Sequence, residues 1–203
     1  MGEIAVATTV SEELVALGLG SCIGVAIVDW TAQVAGLAHV VLPESGDRTG
    51  EPGKFADTAV PALLRMLDRA GASPRRLEAA IAGGARMFES SGGLDIGARN
   101  AEAVRAALAA ERITVRVART GGSQGRTVRV SLAEGLVTVR VAGDQPEPLI
   151  QRSDAAGGSP LGASALRLGA RAEALASGRR PPAPTRYGAS GLPATQAAGG
   201  SRP

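Results

Sequence analysis

"GLGSCIGVAIVDWTAQVAGLAHVVLP", residues 18–43, decides the fold of this chain. Two β-rich runs, "CIGVAIVD" and "QVAGLAHVVLP", flank a short polar link at Trp30–Ala32, which predicts an antiparallel hairpin. With the turn centred near Thr31, Cys22 and His39 fall within one residue of facing each other, and opposed residues share a face with Cβ atoms roughly 4.5–5.5 Å apart. The chain holds one cysteine and one histidine, so the hairpin makes neighbours of the two. An imidazole at that distance accepts the thiol proton, giving the thiolate–imidazolium pair that cysteine nucleophiles use. Gly24 and Ala26 on the same face leave space for a substrate. The glycines of "GLGSC" let backbone N–H groups turn toward a developing oxyanion. Taken singly, a lone cysteine is most often a buried apolar filler and a lone histidine a satisfied structural group. Their joint placement points instead to a cysteine-dependent acyl-transfer site.

Outward from the hairpin, "EIAVATTV" and "ELVALGL" have the pattern of short strands. In "DTAVPALLRMLDRAG" the apolar residues Val60, Leu63, Leu64 and Leu67 recur at helical spacing, with Asp57 as the expected cap, Pro61 in or near the first turn and Gly71 at the end. "LEAAIAGGARMF" is a strand running into a Gly-Gly turn, and "NAEAVRAALAAER" a helix with Asn100 as its expected cap. "ITVRVA", "RTVRVSL" and "LVTVRVA" alternate as strands, the last two joined around Glu134 and Gly135. The expected class is α/β: a layered sandwich of mixed, largely antiparallel β-sheet with two main helices. "GGSQGR", Gly121–Arg126, lacks the Gly-Lys-Ser/Thr ending of a phosphate loop and is expected to be a turn.

Composition divides the chain near residue 150. Of the 53 residues after Ile150, 34 are Ala, Gly, Pro or Ser, too few apolar side chains to offset the entropy of ordering. Residues 1–150 are expected to form one domain and residues 151–203 a disordered Ala/Gly/Pro/Arg-rich tail, with a marginal helix over 163–177. The tail carries seven arginines against Asp154 and Glu173, so the overall +3 becomes −2 for residues 1–150. With two Phe, one Tyr and one Trp, base-stacking platforms are nearly absent and nucleic acid is not an expected partner. A single cysteine forms no internal disulfide. "MGEIAVATTV" has neither the basic leader nor the apolar core of a signal peptide, and no apolar run nears the roughly 20 residues of a membrane span. A cytoplasmic protein without membrane insertion is expected.

"LGLGSCIGVAIVD", "GLAHVVLPES", "KFADTAVPALL", "AAIAGGARMF", "IGARNAEAVRAAL" and "TGGSQGRTVRV" follow one another in the order and spacing of the CheD family of chemotaxis proteins, the chemoreceptor glutamine deamidases, which residues 2–142 resemble. The resemblance implies a layered α/β domain similar to bacterial toxin deamidases, hydrolysing receptor glutamine side chains to glutamate with release of ammonia. It implies Cys22 of "GSC" as nucleophile, His39 of "AHV" as base and the backbone amides of Ser21 and Cys22 as oxyanion donors. It implies no metal or organic cofactor, chemoreceptor cytoplasmic domains as substrate and a CheC-type phosphatase as a further partner. One departure bears on activity: where the family usually carries a threonine that orients the histidine, this chain has Ala16, whose methyl accepts no hydrogen bond. A second lies at Ala118 and Arg119, where the family often has an acidic pair. Three alternatives stand: an active deamidase, a catalytically weakened module that binds phosphatase or receptor, and a different cysteine hydrolase on a similar scaffold.

Overall fold

The computed structural model of the protein describes residues 1–48, 50–87 and 95–153. The expected tail lies outside these residues apart from its first three. Nine strands and two α-helices occur among them: β1 (Ile4–Ala7), β2 (Glu13–Leu19), β3 (Ile23–Asp29), β4 (Val34–Val40), α1 (Ala56–Arg69), β5 (Glu78–Gly83), α2 (Ile96–Ala110), β6 (Val115–Thr120), β7 (Arg126–Ser131), β8 (Leu136–Val141) and β9 (Glu147–Gln151).

The hairpin forms the middle of the molecule. One sheet runs β1-β4-β3-β5-β6 and the other β2-β7-β8-β9. Every pairing is antiparallel except β5 with β6, which α2 connects as a crossover. β3 is buried along its whole length, as a strand covered on both faces must be. Ile23, Val25 and Ile27 pack toward the helices with Val60, Leu63 and Leu67 of α1 and Val104 and Leu108 of α2. Ala26 and Val28 face the second sheet, where Val128, Val130, Val137 and Val139 meet them. The layers are therefore helices, five-stranded sheet and four-stranded sheet. Each fully buried Leu, Ile or Val contributes about 2 kcal/mol by removal from water, so the central hairpin is the best-anchored part of the fold.

Details of the helices depart from the expected ones. α1 starts at Ala56 behind Phe55, with no side-chain cap. Asp57 sits inside the first turn, where its carboxylate accepts hydrogen bonds from the Ser45 amide and hydroxyl instead. Pro61 lies at the sixth helical position, which removes the amide that would bond the Asp57 carbonyl. α2 starts four residues before Asn100, capped by Asp95, whose side chain accepts from the Ala98 amide at 2.9 Å. Asn100 is consequently an interior helical residue with no exposure. β9 is a further strand that the sequence reading does not anticipate, and β6 joins the first sheet beside β5.

Candidate active site

Cys22 lies where the chain crosses from one sheet to the other. β2 pairs with β7 in the second sheet, a bulge between Ala16 and Leu19 disrupts its register, and Gly20–Cys22 then lead into β3 of the first. His39 sits near the end of β4, opposite Gly24 of β3. The hairpin is thus centred between Thr31 and Ala32, half a residue beyond the expected point. The difference matters, because side chains alternate with period two and a one-residue slip flips a whole strand to the other face. In the observed register Cys22 shares a face with Gly24, and so with His39. The two are diagonal neighbours rather than directly opposed, with roughly 7–8 Å between the Cα positions of such a pair.

Gly24 does not leave the space for a substrate expected of it: an added Cβ would stand 2.8 Å from the Leu19 side chain and 3.3 Å from that of Val128, which pack over it. His39, Ala16, Leu37, Glu3 and Glu13 line a cavity of about 390 Å³. Cys22 is 7 % exposed and His39 half-buried. Burial pushes the Cys22 thiol up and the His39 imidazole down, the Met1 ammonium adding to the effect on His39 and Glu3 opposing it. Burial thus works against charge on both groups. The buried Nε2 of His39 has no hydrogen-bond partner. Among the described residues, the amides of Ser21 and Cys22 donate to no main-chain carbonyl, and the Cys22 amide lies against its own thiol.

Three groups fix the backbone on either side of Cys22. The Gly84 amide donates to the Cys22 carbonyl at 2.9 Å and the Ala85 amide to the Gly20 carbonyl at 2.7 Å. At Gly83, with φ +123°, any Cβ would collide with the Cys22 carbonyl oxygen, so only glycine permits this approach. Arg126 pins the same segment, its guanidinium donating to the carbonyls of Gly83 at 2.6 Å, Arg119 at 3.0 Å and Gly121 at 2.5 Å. "GGSQGR" is the expected turn, and its arginine is the support beneath the cysteine loop. The Asn100 amide donates to the carbonyls of Ser21 and Val41, both at 2.9 Å. It thereby ties the residue before Cys22 to the strand end just beyond His39. Neither residue is identifiable from the sequence as a support, since an asparagine near a helix start reads as a cap and an arginine beside a glycine turn as a solvated charge. The usable signal for Asn100 is its place among Ala101, Val104 and Leu108 on the apolar stripe of α2.

Among the described residues, no group of three or more His, Cys, Asp or Glu is placed to hold a metal. No helix among them is long and apolar enough to cross a membrane. The arrangement of a thiol and an imidazole on the same face suits nucleophilic attack on an acyl carbon.

The chain matches the family model described as "CheD chemotactic sensory transduction" over residues 41–141, which takes in Asn100 and Arg126 and begins two residues after His39. It is 52 % identical over 115 residues to the chemoreceptor glutamine deamidase CheD of Thermotoga maritima, an alignment covering 57 % of this chain and 73 % of the relative. The probable chemoreceptor glutamine deamidase CheD of Symbiobacterium thermophilum is 48 % identical over 134 residues, 63 % of this chain and 81 % of the relative. That of the archaeon Haloarcula marismortui is 46 % identical over 124 residues, 60 % and 72 % respectively. On this extent of identity and coverage, the chain belongs to the CheD family.

Proposed function

We propose that this chain is a protein-glutamine deamidase acting on the cytoplasmic domains of chemoreceptors, with residues 1–150 as its catalytic domain, working in the cytoplasm where those domains lie. The reading is supported by one observation: the sole cysteine and sole histidine share a face, His39 lining a cavity there, in a chain 52 % identical over 115 residues to a named chemoreceptor glutamine deamidase. When a glutamine side chain fills the site, His39 takes the Cys22 proton and the thiolate attacks the amide carbon. The amides of Ser21 and Cys22 hold the oxyanion. Collapse of the tetrahedral intermediate breaks the C–N bond, and the imidazolium gives its proton to the departing nitrogen, so ammonia leaves a γ-glutamyl thioester. His39 then removes a proton from water, hydroxide equivalent adds to the thioester carbon, and C–S cleavage returns the thiol and releases glutamate. Neither metal nor organic cofactor enters any step.

The test is a receptor cytoplasmic fragment incubated with the native chain and with Cys22→Ala. Ammonia release together with the glutamine-to-glutamate mass gain in the native reaction only is the expected result. Peptide-bond cleavage, or no modification by either protein, would overturn it. A weakened binding module has one supporting observation, the methyl of Ala16 on the cavity wall beside His39 where a hydroxyl would serve the imidazole. On that reading the exposed Val15 and Leu17 next to the cavity provide apolar surface for a CheC-type phosphatase.

A further inference from the structure

Glu3 is the cross-strand partner of His39. β1 and β4 pair with Ile4 opposite Ala38, and the pairing continues one step further, where the His39 amide donates to the Glu3 carbonyl at 3.0 Å. Ala5 and Ala7 stand opposite Leu37 and Ala35, and Ala7, Ala35 and Leu37 all lie in the core between the sheets. By alternation the side chains of Glu3 and His39 share that inter-sheet face, and both line the 390 Å³ cavity. Directly opposed Cβ atoms are roughly 5 Å apart, well within the span of a glutamate side chain.

A histidine base works when its second ring nitrogen is held by an acceptor that fixes tautomer and orientation. His39 has no such acceptor yet: its buried Nε2 is unpartnered and Ala16 beside it presents a methyl. Two carboxylates line the cavity. Glu13 is held by the Arg129 guanidinium through paired hydrogen bonds. Glu3 is 82 % exposed and among the described residues pairs with the Met1 ammonium alone, at 3.5 Å. We propose that Glu3 is the positioning residue of this site, its carboxylate accepting the imidazole N–H that does not serve Cys22 and stabilising the imidazolium that forms during turnover. The proton stays on the ring throughout. The same carboxylate already acts to raise the His39 pKa against burial. This inference rests on Cys22 and His39 being the reacting pair.

The only histidine in the chain makes the test direct, because its ring protons titrate alone by NMR. The charged groups lining the cavity with it are Glu3, Glu13 and the Met1 ammonium, and Cys22 titrates on the same face. Glu3→Gln should lower the His39 midpoint by about 0.5 pH unit, the scale of a partly solvated charge pair. On a receptor fragment it should lower kcat about tenfold with KM unchanged, and Ala16→Thr in the Glu3→Gln background should restore turnover by supplying a hydroxyl acceptor. An unchanged His39 midpoint in Glu3→Gln overturns the proposal, as does a shifted midpoint with native kcat. A native chain inert on receptor overturns the deamidase function instead, and the NMR titration then judges Glu3 by itself.

Discussion

Replacing Asn100 with leucine keeps the volume and removes the amide that joins the two halves of the site. The side chain has no exposure, its Nδ2 donates to the Ser21 and Val41 carbonyls, and its Oδ1 is buried without a partner. Stranding two part-buried carbonyls costs about 1–3 kcal/mol each, and removing the orphaned Oδ1 returns about 1–3 kcal/mol, so the net loss is about 1–3 kcal/mol. For a domain of this size each kcal/mol moves Tm by about 2–4 °C, which sets the expected fall at about 2–12 °C. The catalytic effect should be separable. Freed from Asn100, the Ser21 and Val41 backbones shift independently, and a displacement of about 1 Å at a reacting pair costs on the order of 10²-fold in rate. Thermal unfolding and receptor deamidation, measured on the same Asn100→Leu sample, read both quantities. A variant that melts with the native chain and turns over at the native rate would refute the role assigned to Asn100.

Gly83→Ala should destabilise by about 3 kcal/mol or more, because the methyl meets the Cys22 carbonyl at a backbone conformation suited to glycine. Urea unfolding checks this, and a loss under 1 kcal/mol would contradict the close approach. Asp29 is fully buried and accepts from the amides of Thr31, Ala32 and Ser73 and from both arms of Arg76. Burial opposes its ionisation, and the Arg76 guanidinium and these amides outweigh it, holding the carboxyl below its usual range. Asp29→Ala should loosen the hairpin turn and cost about 3–5 kcal/mol, measured in the same unfolding series. For His39 the folded state disfavours the charged ring, so the unfolded chain binds more protons as pH falls below about 6.5 and stability declines there. For Cys22 the folded state favours the thiol, so stability is present below the ordinary thiol range and declines as pH rises through it. Unfolding free energies from pH 5 to 10 should show both limbs, and His39→Gln should remove the acid one between about pH 5 and 6.5.

The hairpin is legible in the sequence because two β-rich runs flank one short link, and the shared face of Cys22 and His39 follows from it without knowledge of the other strands. Its register is not legible to the half residue that decides faces, since that depends on how Asp29 caps the turn at Thr31 and Ala32. The partition into two sheets escapes local reading: "ITVRVA" and "RTVRVSL" have one pattern, and only the parallel pairing of β6 with β5 through α2 separates them. β9 escapes because Pro148 and the neighbouring tail composition make "EPLIQ" resemble a linker. Glu3 is invisible as a partner of His39 for the same reason, because 35 intervening residues must fold before β1 meets β4. The burial that acts on Cys22 and His39 also requires the structure, as spacing gives proximity but not desolvation.

The covalent step is open to direct capture. On the proposed mechanism, hydroxylamine added to a receptor fragment and the native chain should compete with water for a thioester on Cys22, and mass spectrometry should find a γ-hydroxamate at the same side chains that otherwise become glutamate. With Cys22→Ala both products should disappear, a loss of about 10³-fold or more in rate. Native-rate ammonia release by Cys22→Ala would contradict the account at its centre.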